Sequence, residues 1–166
     1  ITLPNELISI GSGVFTNCMK LNPVVIPDTV VEIGSDTFLN TPYYNNESYW
    51  EDGALYIGKY LIAANTFDSE LWEYVGKVNG DFVIKSGTKL IADSCFQNCT
   101  GLTSVTIPDS ITSIGLYTFK NCTSLTNVLI PDSVRYIGES AFEKCSSLSS
   151  INIPLGMEEI GYKAFY

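Results

Sequence analysis

The most regular feature of the sequence is a set of apolar positions that recur every 23 residues. An Ile-Pro pair starts at Ile107, Ile130 and Ile153, and the same spacing appears in a column of isoleucines and a column of phenylalanines. The isoleucine column is Ile10, Ile33, Ile91, Ile114, Ile137 and Ile160, and the phenylalanine column is Phe15, Phe38, Phe96, Phe119, Phe142 and Phe165. A fixed period of this length predicts a repeat protein whose units stack into a solenoid.

Each repeat is predicted to form one coil of the solenoid. Residues 105–107 alternate apolar, polar and apolar, which predicts a short strand with one buried face. Pro108 ends this strand, because proline has no N–H for a further ladder bond. Residues 111–114 form a second extended segment, and residues 116–122 are predicted to form a short helical turn that buries Phe119. Stacking coils about 4.8 Å apart would bury the apolar columns as continuous ladders.

The repeats assign residues 1–166 to a single domain. Full repeats are expected near 3–25, 26–48, 84–106, 107–129 and 130–152, with a partial repeat over 153–166. Ile26 and Ile84 are 58 residues apart, one period of 23 plus 35 extra residues, so an insertion within 42–83 interrupts the second repeat. The last coil would expose core positions, which predicts either further sequence or self-association through the open ends of the solenoid.

The insertion is the most aromatic part of the chain. It holds ten of the twenty aromatic residues, and residues 50–63 predict two strands of a hairpin around a Gly58-Lys59 turn. In one interpretation these side chains pack the hairpin against the solenoid. In the other, some of them form an exposed recognition patch, since Tyr and Trp dominate binding hot spots. The candidates for that patch are Tyr43, Tyr44, Tyr49, Trp50, Trp72 and Tyr74.

Outward-facing strand positions offer a second candidate surface. In each repeat the residue just before the Ile-Pro position points away from the core, since side chains alternate along a strand. We call this set of residues the outer row: Val25, Val83, Thr106, Leu129 and Asn152. The neighbouring row contains Asp81, Ser104, Asn127 and Ser150. These side chains are small and mostly uncharged, so Thr106, Leu129 and Asn152 are candidates for weakly polar contact with a protein.

Four of the five cysteines share one column of the repeat. They are Cys18, Cys99, Cys122 and Cys145. A ladder of buried thiols is favoured, because a free cysteine behaves as a small apolar residue. Stacked neighbours also lie within the Cα distance of a disulfide, so a Cys99–Cys122 or a Cys122–Cys145 bond is the alternative.

Catalytic and metal-dependent functions are disfavoured. The chain has no histidine, and its acids lie at repeating turn positions with no paired nucleophile and base. Asp28, Asp109 and Asp132 share a column, but Asn5 and Leu155 interrupt it, which argues against a calcium site. Cys95 and Cys99 have the spacing of half a zinc site, but no matching second pair and no histidine accompany them. We therefore expect no enzymatic activity, no cofactor and no metal.

The net charge and the hydropathy of the chain disfavour two further classes of partner, nucleic acids and membranes. The net charge is −9, which disfavours nucleic acid and anionic membrane surfaces as partners. No apolar run approaches the roughly 18 residues that a membrane-spanning helix needs, so no membrane insertion is expected within this chain. The chain starts at Ile1 without an initiator Met, so we expect it to be a part of a longer protein or a processed one.

The complete repeat unit is C-x-x-L-x-x-V-x-I-P-x-x-V-x-x-I-G-x-x-A-F-x-x-C. Its clearest copy runs from Cys122 through Ile130-Pro131 and Ile137-Gly138 to Cys145. This pattern resembles the BspA-like, or Treponema-type, leucine-rich repeat family of bacterial surface and secreted proteins. The resemblance covers nearly all of the chain outside the insertion. The departures from the pattern are Lys85, Thr88 and Ala92, and their position beside the insertion predicts local remodelling of the solenoid.

The resemblance implies a fold and a class of function. It implies a leucine-rich repeat solenoid, a right-handed superhelix with a parallel β-sheet on its concave face and short strands and helical turns on its convex side, here with one inserted β-hairpin. It implies an extracellular or cell-surface location in a larger protein. It also implies an adhesion or protein-interaction module whose partner is a host matrix protein or another bacterial surface protein. A structural spacer without its own ligand is the alternative.

Overall fold

Parallel pairing between the strands of successive coils builds the fold. The computed structural model describes residues 1–21, 23–71 and 73–166, and the apolar columns of the repeats stack along a solenoid within it. The strands are β1 (Ser9–Ile10), β2 (Glu32–Ile33), β3 (Trp50–Glu51), β4 (Ala54–Ile57), β5 (Tyr60–Ala63), β6 (Asn65–Asp68), β7 (Glu73–Gly76), β8 (Gly80–Val83), β9 (Leu90–Ile91), β10 (Leu102–Thr106), β11 (Ser113–Ile114), β12 (Asn127–Leu129), β13 (Tyr136–Ile137) and β14 (Glu159–Ile160). The described residues also include the helix α1 (Pro42–Asn45) and a 3-10 helix (Glu47–Tyr49), and none of their helices is long and apolar enough to cross a membrane.

The first strands of three coils form one parallel sheet. Strand β10 lies between β8 and β12, and Val83, Thr106 and Leu129 are in register across the three strands. Val105 pairs with Val128 in the same sheet, and both are buried. Because side chains alternate between the two faces of a strand, burying the valines turns the residues at Val83, Thr106 and Leu129 outward. This is the strand that the alternation in the sequence predicted.

The second strands of the coils stack in a separate ladder. Strands β1 and β2 pair in parallel, and β13 lies between β11 and β14. The register places Ile10 on Ile33, and Ile114 on Ile137 and then Ile160. The isoleucine column of the sequence is therefore a physical stack, and its members from Ile10 to Ile137 are buried.

Tight turns form the arc that follows each second strand. Tyr117 and Asn121 have φ of 56° and 60°, left-handed values that an α-helix does not contain. The N–H of Phe119 donates to the carbonyl of Ala141 in the next coil at 2.7 Å, so this backbone group bonds between coils. Phe119 is buried, as predicted, but through successive tight turns in place of a short helical turn. Along this arc the rings of Phe96, Phe119 and Phe142 stack 5.0 and 5.1 Å apart.

The insertion contains the predicted hairpin and a second one. Strands β4 and β5 are antiparallel, and Ile57 pairs with Tyr60 around the Gly58-Lys59 turn. Strand β5 also pairs in parallel with β9, so the hairpin supplies a strand to the second ladder. Strands β6 and β7 form the second hairpin, which the sequence analysis did not predict.

The first hairpin divides the apolar core into two halves. One core cluster holds the coils before the insertion and the other holds the coils after it. Leu55 and Ile62 belong to the cluster of the early coils, whereas Ala54 and Leu61 belong to the cluster of the later coils. Both faces of β5 are buried, because each face packs against a different half of the solenoid.

Candidate binding surface

The outer row lies on the exposed face of the sheet formed by β8, β10 and β12. Val83 is 68% exposed and Leu129 is 57% exposed, and Thr106 lies between them in register. Asn152 and Val25 are also exposed, in the coils beyond the two edges of this sheet. At about 4.8 Å between strands, the three paired residues make a strip of roughly 10 Å without a formal charge.

Polar side chains border this strip. The hydroxyls of Thr103 and Ser104 both donate to Oδ1 of Asp81 at 2.8 Å. These two hydrogen bonds hold the pKa of the Asp81 carboxyl below its usual value, so the carboxylate is ionised at neutral pH. The apolar strip is therefore flanked by a fixed anionic group on one side.

The tip of the first hairpin adds a depression beside Val25. The space has a volume of about 300 Å³ and is lined by Val24, Val25, Ile26, Asp28, Ile57, Gly58, Lys59 and Tyr60. The Nζ of Lys59 lies 2.8 Å from Oδ1 of Asp28, and the hydroxyl of Tyr60 donates to the carbonyl of Pro27 at 2.7 Å. Sequence reasoning predicted the turn at Gly58-Lys59 but did not place it beside Val25, because the two segments are distant along the chain.

Two of the aromatic candidates do not lie on the surface. Tyr43 is 8% exposed and Trp50 is 9% exposed, and both belong to the core of the early coils. The N–H of Val24 donates to the Tyr43 hydroxyl at 2.6 Å, and Nε1 of Trp50 donates to the carbonyl of Tyr44 at 3.0 Å. The prediction that Tyr43 and Trp50 belong to an exposed patch is therefore wrong. Their rings fill the space between the insertion and the solenoid.

Tyr44 and Tyr74 dock the second hairpin onto the turns of the second coil. The Tyr74 hydroxyl donates to Oδ2 of Asp36, and the Tyr44 hydroxyl accepts a hydrogen bond from the N–H of Phe67 at 2.9 Å. Burial raises the pKa of both phenols, and the nearby Asp36 carboxylate raises it further, so both keep their protons. A cavity of about 20 Å³ beside Asp36 and Asn65 is large enough for one water molecule and too small for a ligand.

The remaining aromatic candidates differ in position. Tyr49 is 42% exposed, and its ring lies 5.2 Å from that of Tyr43. Trp72 lies outside the residues that the structure describes. The exposed part of the aromatic patch is therefore smaller than the sequence suggested, and the outer row is the larger continuous candidate.

The cysteine column consists of free thiols. Cys99, Cys122 and Cys145 are buried, Cys18 is exposed, and none of the five forms a disulfide. The Sγ atoms of Cys122 and Cys145 donate to carbonyls of the preceding coil, those of Phe96 and Phe119, at 3.1 Å. Burial raises the pKa of Cys99 to about 12, so this thiol is protonated and weakly nucleophilic at neutral pH.

Metal-binding clusters are absent from the described residues. No group of three or more His, Cys, Asp and Glu side chains among them is arranged to hold a metal ion. Burial raises the pKa of the Cys95 and Cys99 thiols, and the chain has no histidine that could act as a base beside them.

The structure contains a groove that sequence reasoning missed. It runs over the ladder of second strands, has a volume of about 410 Å³, and is lined by Glu32, Asp93, Ser113, Ile114, Gly115, Leu116, Tyr136, Ile137, Gly138, Glu139, Glu159, Gly161 and Tyr162. The signal in the sequence is a glycine column, because a glycine follows most members of the isoleucine column: Gly11, Gly34, Gly115, Gly138 and Gly161. Side chains on both sides of that column line the groove.

The comparisons with known proteins agree with the geometry. The family model described as a BspA type leucine rich repeat region, in six copies, matches residues 1–71 and 65–166. A leucine-rich repeat protein from Bacteroides ovatus is 28% identical over 99% of this chain and 45% of its own, with a TM-score of 0.50. This chain therefore spans less than half of that protein's length.

Two further solved structures are similar. A leucine rich cell surface protein from Faecalibacterium prausnitzii is 29% identical over 99% of this chain and 44% of its own, with a TM-score of 0.42. The leucine-rich repeat protein of T. pallidum is 16% identical over 89% of this chain and 77% of its own, with a TM-score of 0.45. No curated protein sequence matches the chain.

Proposed function

Because the chain belongs to the BspA-type leucine-rich repeat family, we propose that it is a non-catalytic, adhesive protein-binding module of a larger secreted or cell-surface protein. The family is one of protein-interaction scaffolds, but a scaffold does not specify its ligand. The proposed partner is a protein, either a host matrix protein or another bacterial surface protein. The proposed contact surface is the outer row.

The observation that carries this proposal is the exposure of apolar side chains along the outer row. Val83 and Leu129 are each more than half exposed, although they lie on a regular sheet where polar residues would suffice. Burying such residues against a partner removes apolar surface from water and leaves no charge unpaired. The backbone beneath them is held by ladder hydrogen bonds, so binding would order few additional groups.

The proposed extracellular or cell-surface location follows from the family, and the burial of most thiols is compatible with it. Exposed thiolates are oxidised outside the cell, whereas a buried protonated thiol reacts slowly. Cys95, Cys99, Cys122 and Cys145 are all buried, which leaves Cys18 as the exposed cysteine. The fold is therefore compatible with an oxidising environment without needing a disulfide.

The test is binding to a panel of purified host matrix proteins, mucins and bacterial surface proteins, measured with the immobilised chain. We expect at least one member of the panel to bind, and the double variant Val83→Ser/Leu129→Ser to weaken that binding about tenfold or more. The matched control is Val14→Ser/Leu155→Ser, which removes two exposed apolar residues outside the outer row and should leave binding unchanged.

Two outcomes would contradict the proposal. If no member of the panel binds the wild-type chain above an inert protein, the segment is a spacer that holds other domains apart. If the control variant weakens binding as much as the outer-row variant does, the contact surface lies elsewhere.

A further inference from the structure

The groove over the second ladder has a floor of glycine backbone. A Cβ atom at Gly138 would lie 2.7 Å from the carbonyl carbon of Gly115, and one at Gly161 would lie 2.5 Å from the N of Glu139. Real Cβ atoms do not approach backbone so closely, so the stacking of coils excludes side chains at Gly138 and Gly161. The residues on either side of the glycines do carry side chains, and the space between these two rows is the groove.

The two walls of this groove belong to two further columns of the repeat. Glu32, Tyr136 and Glu159 stand on the strand side, and the last two pair in register with each other. The opposite wall is formed by Leu116, Glu139 and Tyr162, each of which follows a glycine, and by Asp93, which follows Ala92. Tyr136, Leu116 and Tyr162 are exposed, so apolar and aromatic surface faces the groove from both sides.

All the charged residues that line the groove are acidic. Its lining includes four acids and neither Lys nor Arg. Of the nearby cations, Arg135 donates from Nη1 to the carbonyls of Asp132 and Val134, and the Nζ of Lys163 lies 4.9 Å from the ring centroid of Tyr166 and 5.3 Å from that of Tyr162. The acids of the lining have no ion-pair partner within the groove, whereas Glu143 outside it pairs with Lys120 at 3.0 Å.

The length of the groove follows from the stacking of the strands. The N–H of Asp93 donates to the carbonyl of Ile33 at 2.9 Å, which places the coil of β9 against that of β2. Strands β11, β13 and β14 follow, and β11 contacts β9. Four spacings of about 4.8 Å give roughly 19 Å, the length of about six residues of extended peptide.

From this geometry we propose that the groove binds an extended cationic peptide segment, rich in Lys or Arg, from a partner protein. The carboxylates on both walls attract the cationic groups, and the phenol rings of Tyr136 and Tyr162 offer cation–π contacts. The aliphatic stems of Lys and Arg are long enough to lie along Leu116 while their charged ends reach the acids. This site is separate from the outer row, and it stands whether or not the outer row binds a protein.

Asp93 gives independent support to this proposal. Burial, together with the charge of Glu32, raises the pKa of its carboxyl to about 6, although the hydrogen bond from the N–H of Leu116 at 2.8 Å acts to lower it. At neutral pH Asp93 is therefore ionised in the wall of the groove, although its surroundings in the folded chain disfavour the ionised form. A bound cation would relieve this cost, and perturbed ionisable groups of this kind cluster at binding sites.

The test is a titration of dye-labelled hexalysine against the whole chain, followed by fluorescence anisotropy at low ionic strength. The triple variant Glu32→Gln/Glu139→Gln/Glu159→Gln removes three charges from the groove. The matched control, Glu6→Gln/Glu70→Gln/Asp109→Asn, removes three exposed charges elsewhere and has the same net charge. We expect the groove variant to weaken binding about tenfold or more and the control to change it less than about twofold.

Peptide length and aromatic contact give two further readouts. Affinity should rise with the number of lysines up to about six and then level off, because a longer peptide extends beyond the groove. Tyr162→Ala should also weaken binding, and circular dichroism should show that it folds, since this side chain is exposed. The outer-row variant Val83→Ser/Leu129→Ser should bind hexalysine as the wild type does, which separates this site from the proposed function.

The proposal is overturned if wild-type chain does not bind hexalysine. It is also overturned if the groove variant and the control weaken binding equally, because the attraction is then due to the net charge of −9 alone. A steady increase in affinity with peptide length, without a plateau near six residues, would equally point to diffuse attraction.

Discussion

The carboxyl group of Asp93 owes its raised pKa to its position between two coils. In a model peptide the pKa would be 3.8, but burial and the charge of Glu32 raise it to about 6. Gly115, directly beside it, is explained in the same way, because a Cβ there would lie 2.2 Å from Oδ1 of Asp93. At the residue scale, the stacking of coils therefore raises the pKa of Asp93 and requires a glycine at position 115.

Replacing Asp93 by Asn should stabilise the protein at neutral pH. The folded-state pKa is raised, so the unfolded chain ionises first as the pH rises from about 4 to 6, and stability is lost across that window. The neutral Asn avoids this loss and keeps an oxygen to accept from the N–H of Leu116. We expect Asp93→Asn to raise the free energy of unfolding at pH 7.5 by about 1 kcal/mol after allowance for solvent screening.

Urea denaturation at several pH values measures this effect. The gain should shrink as the pH falls through the window and approach zero near about pH 3, below the unfolded pKa of 3.8, where the wild-type residue is largely protonated in both states. A gain of equal size at pH 4 and pH 7.5 would show that ionisation is not its cause. The same variant should bind hexalysine more weakly. The carboxylate that destabilises the folded chain would then be one that contributes to binding.

Reactivity of the thiols should follow their burial. Cys18 is exposed, whereas Cys95, Cys99 and Cys122 are buried, with pKa values raised chiefly by desolvation or by the neighbouring thiol. We expect a thiol-specific dye to label one cysteine quickly in the native state and all five after denaturation. The variant Cys18→Ser should abolish the fast phase, and fast labelling of a second thiol would contradict the buried ladder.

At the scale of elements, contacts that combine charge and aromatic rings hold the insertion together and join it to the coil that follows. The Nζ of Lys77 lies 2.7 Å from Oε1 of Glu47 and 4.3 Å from the ring centroid of Trp50. Lys85 pairs with Glu51 and lies 4.5 Å from the ring centroid of Tyr56. Both lysines therefore connect residues of the insertion that lie apart along the chain, and Trp50 is central to the packing beneath them.

Removal of the Trp50 ring should destabilise the protein strongly. Trp50 is buried, its ring meets that of Tyr44 edge to face at 5.4 Å, and Trp50→Ala would leave a large cavity. We expect a loss of about 3–5 kcal/mol in the free energy of unfolding, measured by urea denaturation. The control is Tyr49→Ala, an exposed aromatic of the same segment, which should cost less than about 1 kcal/mol. Similar losses for the two variants would mean that Trp50 does not anchor the insertion.

At the scale of the whole molecule, the hairpin is a wall between two halves of one core. Leu55 and Leu61 are both fully buried on neighbouring antiparallel strands, yet they belong to different core clusters. In a solenoid, stability passes mainly between neighbouring coils. The hairpin therefore links the early coils to the later ones, and a defect on one of its faces should affect one half more than the other.

Hydrogen exchange of Leu55→Ala and Leu61→Ala should separate these halves. Each variant should lose about 2–5 kcal/mol of stability, because each opens a cavity at a buried leucine. Leu55→Ala should reduce amide protection mainly around residues 10–38, and Leu61→Ala mainly around residues 82–142. Equal loss of protection across the chain in both variants would show that the molecule unfolds as one unit.

The sequence by itself determined the repeat, the strands of each coil and the first hairpin. These features depend on local alternation, on turn residues such as Gly58, and on a period that places equivalent residues in one column. The outward orientation of Thr106 and Leu129 was also predictable, since it follows from the alternation of side chains along a strand.

Only the tertiary structure decided how the insertion and the two surfaces are arranged. Tyr43 and Trp50 are of the residue types that are common in exposed binding patches, but packing between distant segments buries them. The hairpin β6–β7 escaped prediction, because contacts such as that of Tyr74 with Asp36 connect residues 38 positions apart. The acidic groove also depends on the stacking of coils, which brings Asp93 beside Glu32 and leaves the glycine column bare. Local pattern fixes the elements of a repeat protein, whereas burial and the distance between charges exist only after the coils have stacked.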